Sequence, residues 1–107
     1  MTEKQVQHAI KKVLQAFNFS VWDLSQPRAT KQTPGLPDLI AVGHARVLFI
    51  EAKTAKGRVS DAQAMFGAEV AQNGGIWLVW RSAADAARYL IEQGIAKPAA
   101  ESWRQHE

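Results

Sequence analysis

Three charged residues stand where strand geometry would gather them: Asp38, Glu51 and Lys53. Asp38 follows Pro37 and opens the apolar run 38–42 (DLIAV). Thirteen residues after it, Glu51-Ala52-Lys53 closes a second run, 47–53 (VLFIEAK). The intervening Gly43-His44-Ala45-Arg46 has the length of a hairpin loop. Side chains alternate along a strand, so Glu51 and Lys53 share a face with Val47 and Phe49, and Ala52 points the other way. In an antiparallel pair the start of one strand lies opposite the end of the next. Asp38 is therefore expected beside Glu51 and Lys53 at one sheet end.

Buried charges are costly unless paired or bound to a cation. Two adjacent carboxylates repel each other and raise a pKa unless something neutralises them. A hard divalent ion such as Mg²⁺ commonly uses one or two carboxylates together with water and phosphate oxygens. It acidifies bound water and stabilises charge on a phosphate, while a neighbouring lysine can orient the water or neutralise developing charge. The three residues thus fit metal-assisted phosphodiester hydrolysis. Taken alone, Glu51 and Lys53 would more often be a surface salt bridge, and the preceding Gly-x-Pro-Asp weighs for the metal site.

The elements that must position these residues can be read from periodicity. Val6, Ile10, Val13, Leu14 and Phe17, with Ala9, form a helical stripe, and Thr2 with Gln5 makes a capping box at its start. Residues 19–24 (FSVWDL) are rich in aromatic and β-branched types, as in a strand. Residues 25–35 (SQPRATKQTPG) read as a basic loop and 54–59 (TAKGRV) as a second one. Ser60 with Gln63 caps a helix that stops before Gly74-Gly75. Residues 76–80 (IWLVW) are apolar on both faces, as in a strand covered on both sides. Ser82 caps a last helix ending at Gly94. The order is α-β-β-β-α-β-α, which gives a mixed sheet flanked by helices in a single domain over residues 1–95, followed by a tail at 96–107. No internal repeat or linker interrupts it.

Gly35-x-Pro37-Asp38, Glu51-x-Lys53 and Gln63 ten residues past the lysine together resemble the virus-type replication-repair nuclease (VRR-NUC) branch of the PD-(D/E)XK nuclease superfamily. The resemblance covers residues 3 to 81. It implies an α/β, restriction-endonuclease-like αβββαβ core and an endonuclease dependent on Mg²⁺ or Mn²⁺. Carried over by position, Asp38 and Glu51 would ligate the metal with the main-chain carbonyl of Ala52. Lys53 would be the catalytic lysine, and Gln63 would support the site. An acid from the first helix often completes such sites, and Glu3 holds that position, at the edge of the apolar stripe where it could face the sheet. Glu in a first helical turn is also favoured by the macrodipole alone, and Gln63 doubles as a capping residue. The resemblance further implies phage or bacterial settings and homodimers that act on branched DNA such as Holliday junctions, in replication, recombination or repair.

Arg28, Lys31, Lys56 and Arg58 lie in the two loops flanking the expected site and could hold DNA phosphates, although each also fits ordinary solvated loop charge. Phe49, Trp77 and Trp80 are expected in the core. Trp22 suits packing or base stacking, with packing favoured.

Composition narrows the alternatives. The 107 residues are 47% hydrophobic and 21% charged, which is the balance of a globular domain rather than a disordered chain. Thirteen Lys and Arg against ten Asp and Glu leave a net charge of +3, compatible with a polyanionic partner. The absence of cysteine excludes disulfides, thiol catalysis and cysteine-ligated zinc. His8, His44 and His106 have no ligand spacing, and no Ser-His-Asp arrangement is visible. No apolar run approaches the ~18–20 residues of a membrane span, and the polar N-terminus lacks a signal peptide's apolar core, so a cytoplasmic setting is expected. Together with the resemblance to VRR-NUC domains, which implies the DNA substrate and its branched structure, the residues point to a metal-dependent, structure-selective DNA endonuclease. A non-catalytic nucleic-acid-binding module, or a subunit of a larger nuclease with the same fold, is the alternative.

Overall fold

In the computed structural model, residues 1–25 and 33–95 are described. They comprise α1 (Glu3–Ala16), β1 (Ser20–Asp23), β2 (Leu39–Gly43), β3 (Arg46–Ala52), α2 (Asp61–Gln72), β4 (Ile76–Trp80) and α3 (Ala83–Glu92). The expected basic-loop residues Arg28 and Lys31, and the tail 96–107, lie outside the described residues. All three helices begin at a hydroxyl cap. Thr2, Ser60 and Ser82 each accept a hydrogen bond from the backbone N–H three residues on, and at α1 and α2 a Gln returns the bond to complete a capping box.

The four strands lie in the order β1-β2-β3-β4. β1, β2 and β3 form an antiparallel meander, and β4 joins β3 in parallel after crossing over through α2. Gly43 pairs with Arg46, so the hairpin turns on His44 and Ala45, at φ 51° and 60°. This is the left-handed turn that matches strand twist, formed here without glycine at either central position.

Alternation assigns the two faces. Leu39, Ala41, Leu48, Ile50, Ala52 and Trp80 point to one side, where α1 (Val6, Ile10, Leu14) and α3 (Ala86, Leu90) close a continuous core. On the other side Trp22, Ile40, Phe49 and Trp77 form a row across all four strands through their paired registers. There α2 packs Phe66 edge-on against Phe49, with ring centres 5.7 Å apart. Gly67 is required at this contact, because a Cβ there would fall 2.3 Å from the Trp77 ring.

Three expectations change. β4 is an edge strand, so Ile76, Trp77, Leu78 and Val79 are only half-buried and Trp80 alone is buried, whereas cover on both sides was expected. Phe49 and Trp77 are likewise half-buried under α2. Trp22 does not pack: it lies on edge strand β1, beyond the reach of α2, and is 63% exposed. Among the described residues no helix is long and apolar enough to cross a membrane.

Candidate metal and phosphate site

The C-terminal end of β3 brings the predicted residues together. Glu51 lies on the α2 face of β3, and Lys53 follows the strand's last residue. The Lys53 N–H is held to the Trp80 carbonyl at 3.0 Å, which continues the parallel ladder. Asp38, one residue before β2, donates its N–H to the Ile50 carbonyl at 3.1 Å and accepts the Ala52 N–H on Oδ2 at 2.8 Å. Main-chain pairing thus fixes the acid of one strand against the end of the next. Gly35, at φ 90°, allows the close approach that sets Pro37-Asp38 beside α2, since a Cβ there would sit 2.4 Å from the Ala62 carbonyl oxygen.

Glu51 is 1% exposed. Its Oε1 accepts from Gln63 Nε2 at 3.0 Å, while Oε2 is buried with no donor among the described residues. Burial pushes its carboxyl from 4.5 up to about 8. The Asp38 carboxylate, within reach to share a proton, adds to the rise, Lys53 opposes it and Glu3 contributes a little more.

Lys53 is 7% exposed, and its Nζ lies 3.8 Å from Glu3 Oε2. Glu3 therefore does reach the site from α1, but as a half-exposed counter-charge to Lys53. Among the described residues no three His, Cys, Asp or Glu side chains converge as a metal cluster. The carboxyl groups brought together at the end of β3 are those of Asp38 and Glu51.

Gln63 carries both roles weighed for it. Its Oε1 accepts the Ser60 N–H at 2.9 Å as part of the cap, which leaves its Nε2 to hold Glu51. One amide thus ties the start of α2 to the acid of β3.

A second arm starts at Gln7, which the sequence sets near Glu3 as a weaker candidate, and its links to Asp23, Ser25 and Asp38 were not foreseen. Gln7, 7% exposed, donates Nε2 to Asp23 Oδ1 at 3.0 Å. Ser25 Oγ lies 3.1 Å from both Gln7 Oε1 and Asp38 Oδ1. A hydroxyl has one proton, so these two acceptors compete for it. Asp23 also accepts the Ser25 N–H at 3.0 Å, which completes a chain from α1 through the end of β1 to Asp38. The available signal was Gln7, a polar residue beside the apolar stripe of α1. Nothing in the sequence marked Ser25.

The cations divide. Lys56 and Arg58 are exposed on the loop after Lys53. Arg81, not singled out from the sequence, clamps that loop by donating from Nη1 to the Thr54 and Gly57 carbonyls, both at 2.7 Å.

A solved structure described as "VRR_NUC domain" matches this chain with a TM-score of 0.66 and 23% sequence identity, covering 86% of this chain and 97% of that one. No protein-family model and no curated protein matches the sequence. At this identity the likeness establishes the fold, a four-stranded mixed sheet flanked by helices.

Proposed function

We propose that this chain, with the fold of a VRR_NUC domain, is a Mg²⁺- or Mn²⁺-dependent DNA endonuclease centred on Asp38, Glu51 and Lys53. The observation that carries this reading is Glu51 Oε2, a buried oxygen without a donor on a carboxyl group set beside a second carboxyl. Such an arrangement is unfavourable for the protein alone and fits a cation. Two carboxylates and the Ala52 carbonyl are oxygen donors of the kind a hard divalent ion takes, with water and phosphate oxygens completing its coordination. Bound there, the ion would supply Lewis acidity toward the phosphate and a more acidic water.

The chain's own groups supply the rest. Lys53 offers a largely desolvated ammonium to the phosphate oxygens or to the attacking water. Its 3.8 Å pairing with half-exposed Glu3 is loose enough to be exchanged for substrate. Gln63 fixes the orientation of Glu51, and Ser25 and the Ala52 N–H fix that of Asp38. Lys56 and Arg58, exposed on a loop pinned by Arg81, would hold flanking phosphates. Among the described elements α3 is what is added to the αβββαβ core, and it packs on α1 rather than standing out to enter a DNA groove. This favours recognition of DNA shape, such as a branch point or four-way junction, over base sequence. A two-fold dimer would present two such sites to a symmetric substrate.

The test is cleavage of single-stranded, duplex, flapped and four-way DNA with and without Mg²⁺ or Mn²⁺. Lys53→Ala and Asp38→Ala, with folding verified by circular dichroism, are expected to lose about 10²–10³-fold or more in metal-dependent rate. Wild-type rates in either variant would refute the assigned roles. A calorimetric metal site that persists unchanged in Glu51→Ala would refute the proposed ligation.

A further inference from the structure

We infer that the solvent face of α1 is a second nucleic-acid contact, a row of cations that holds the phosphodiester backbone flanking the bond to be cut. The inference rests on the nuclease reading and adds to it a surface that none of the residues assigned above occupies.

At 100° per residue, Lys4, His8, Lys11 and Lys12 fall within an arc of about 100°, on the side of the helix away from Val6 and Ile10. The sole acid of α1, Glu3, lies off that face and is turned toward Lys53. Among the described residues none of Lys4, Lys11 and Lys12 is in an ion pair. The arrangement is locally unfavourable. Lys4 sits in the first turn, where the helix dipole disfavours a cation, and within α1 no acid stands three or four residues from Lys4, Lys11 or Lys12 to offset their charge. A local rule broken without compensation inside the fold points to a partner outside it.

The other helices carry the opposite sign. α2 exposes Asp61 and Glu69 with no Lys or Arg, and α3 carries Asp85, Arg88 and Glu92. A polyanion reaching the site is thus attracted along α1 and repelled along α2.

The track is joined to the site. Lys4 and Lys11 flank Gln7 at three residues before and four after, and Gln7 leads through Ser25 to Asp38. Lys4, Gln7, His8, Lys11 and Asp23 line one groove between α1 and the end of β1. The acid in that groove, Asp23, is occupied by the Gln7 amide and the Ser25 N–H. Lys4 and Lys11 are about 10 Å apart along the helix axis, the span of about three nucleotides of one strand.

The experiment measures binding of a labelled random-sequence duplex against salt concentration, with metal chelated so that no cleavage occurs. Lys4→Gln/Lys11→Gln is compared with Arg46→Gln/Arg88→Gln, which removes the same net charge from other surfaces. Each neutralised phosphate contributes about 0.9 to the salt slope, so the α1 pair should lower it by about 2 and weaken binding about fiftyfold at 0.1 M salt. The control pair should leave the slope unchanged, and calorimetric Mn²⁺ binding should persist in both. If the wild type binds and cuts DNA but the α1 variant keeps its slope, or if both variants lose equally, this inference is overturned and the nuclease reading stands. If the wild type shows no salt-dependent binding and no cleavage, the nuclease reading fails and takes this inference with it.

Discussion

Glu51 makes the metal-free protein sensitive to alkali, in a way that its isosteric amide removes. Below pH 4.5 the folded and unfolded chains both carry the Glu51 proton, and nothing is lost. Between 4.5 and about 8 the unfolded chain releases it while the folded chain keeps it. Stability therefore falls as pH rises, by about 1.4 kcal/mol per pH unit, and levels off above 8. Across that window the loss reaches about 5 kcal/mol, with about 3 kcal/mol of it already spent at neutral pH. A domain of this size has roughly 5–15 kcal/mol in total, so the effect is large enough to measure. Urea denaturation in EDTA at half-unit pH intervals should give a falling limb for the wild type and a much flatter one for Glu51→Gln. At pH 8, Mn²⁺ at a hundred times its dissociation constant should return about 2.7 kcal/mol to the wild type and none to the variant. Parallel pH profiles for the two proteins would show that Glu51 is not held protonated by its surroundings, and the argument for a cation at Oε2 would fall with it.

Gln63 offers a separable test, because Gln63→Ala keeps the Ser60 cap but loses the returning bond to the Ser60 N–H and the bond to Glu51, and should cost about 2–4 kcal/mol in urea denaturation. Gln63→Glu keeps the acceptor for Ser60 but sets a further acid directly against Glu51, so its stability should fall more steeply with pH than that of the wild type. Gly67→Ala drives a methyl group into Trp77 and should destabilise by about 1–3 kcal/mol with a shift in tryptophan fluorescence; an unchanged midpoint would contradict the packing. Ala45→Gly relieves a left-handed backbone at φ 60° and should raise stability by about 1 kcal/mol in thermal or urea unfolding.

Local signals carried much of this structure. The capping boxes at Thr2 and Ser60 marked where α1 and α2 begin, the spacing of 38–42 and 47–53 anticipated the hairpin, and period-two alternation put Glu51 and Lys53 at the sheet end with Asp38 across from them. What stayed hidden depends on distant neighbours. Ser25 matters because the end of β1 delivers it between Gln7 and Asp38, and Arg81 because β4 ends beside the loop after Lys53. The apolar run of 76–80 looked doubly covered because composition does not report sheet position: an edge strand that packs partly on both faces reads like a central one. Trp22 misled for the same reason.

Helices from opposite ends of the described chain meet over one face of the sheet. Ile10 and Leu14 of α1 are buried on a surface that Leu90 and Ile95 complete. During synthesis the first helix therefore leaves the ribosome long before the last pieces of its apolar cover exist. Every proposed ligand and the proposed catalytic lysine are made by residue 53, yet the packing that steadies them waits for α3. A truncated chain ending before Leu90 would hold the complete set of reactive groups on an unfinished core, exposed to proteases and to other nascent chains.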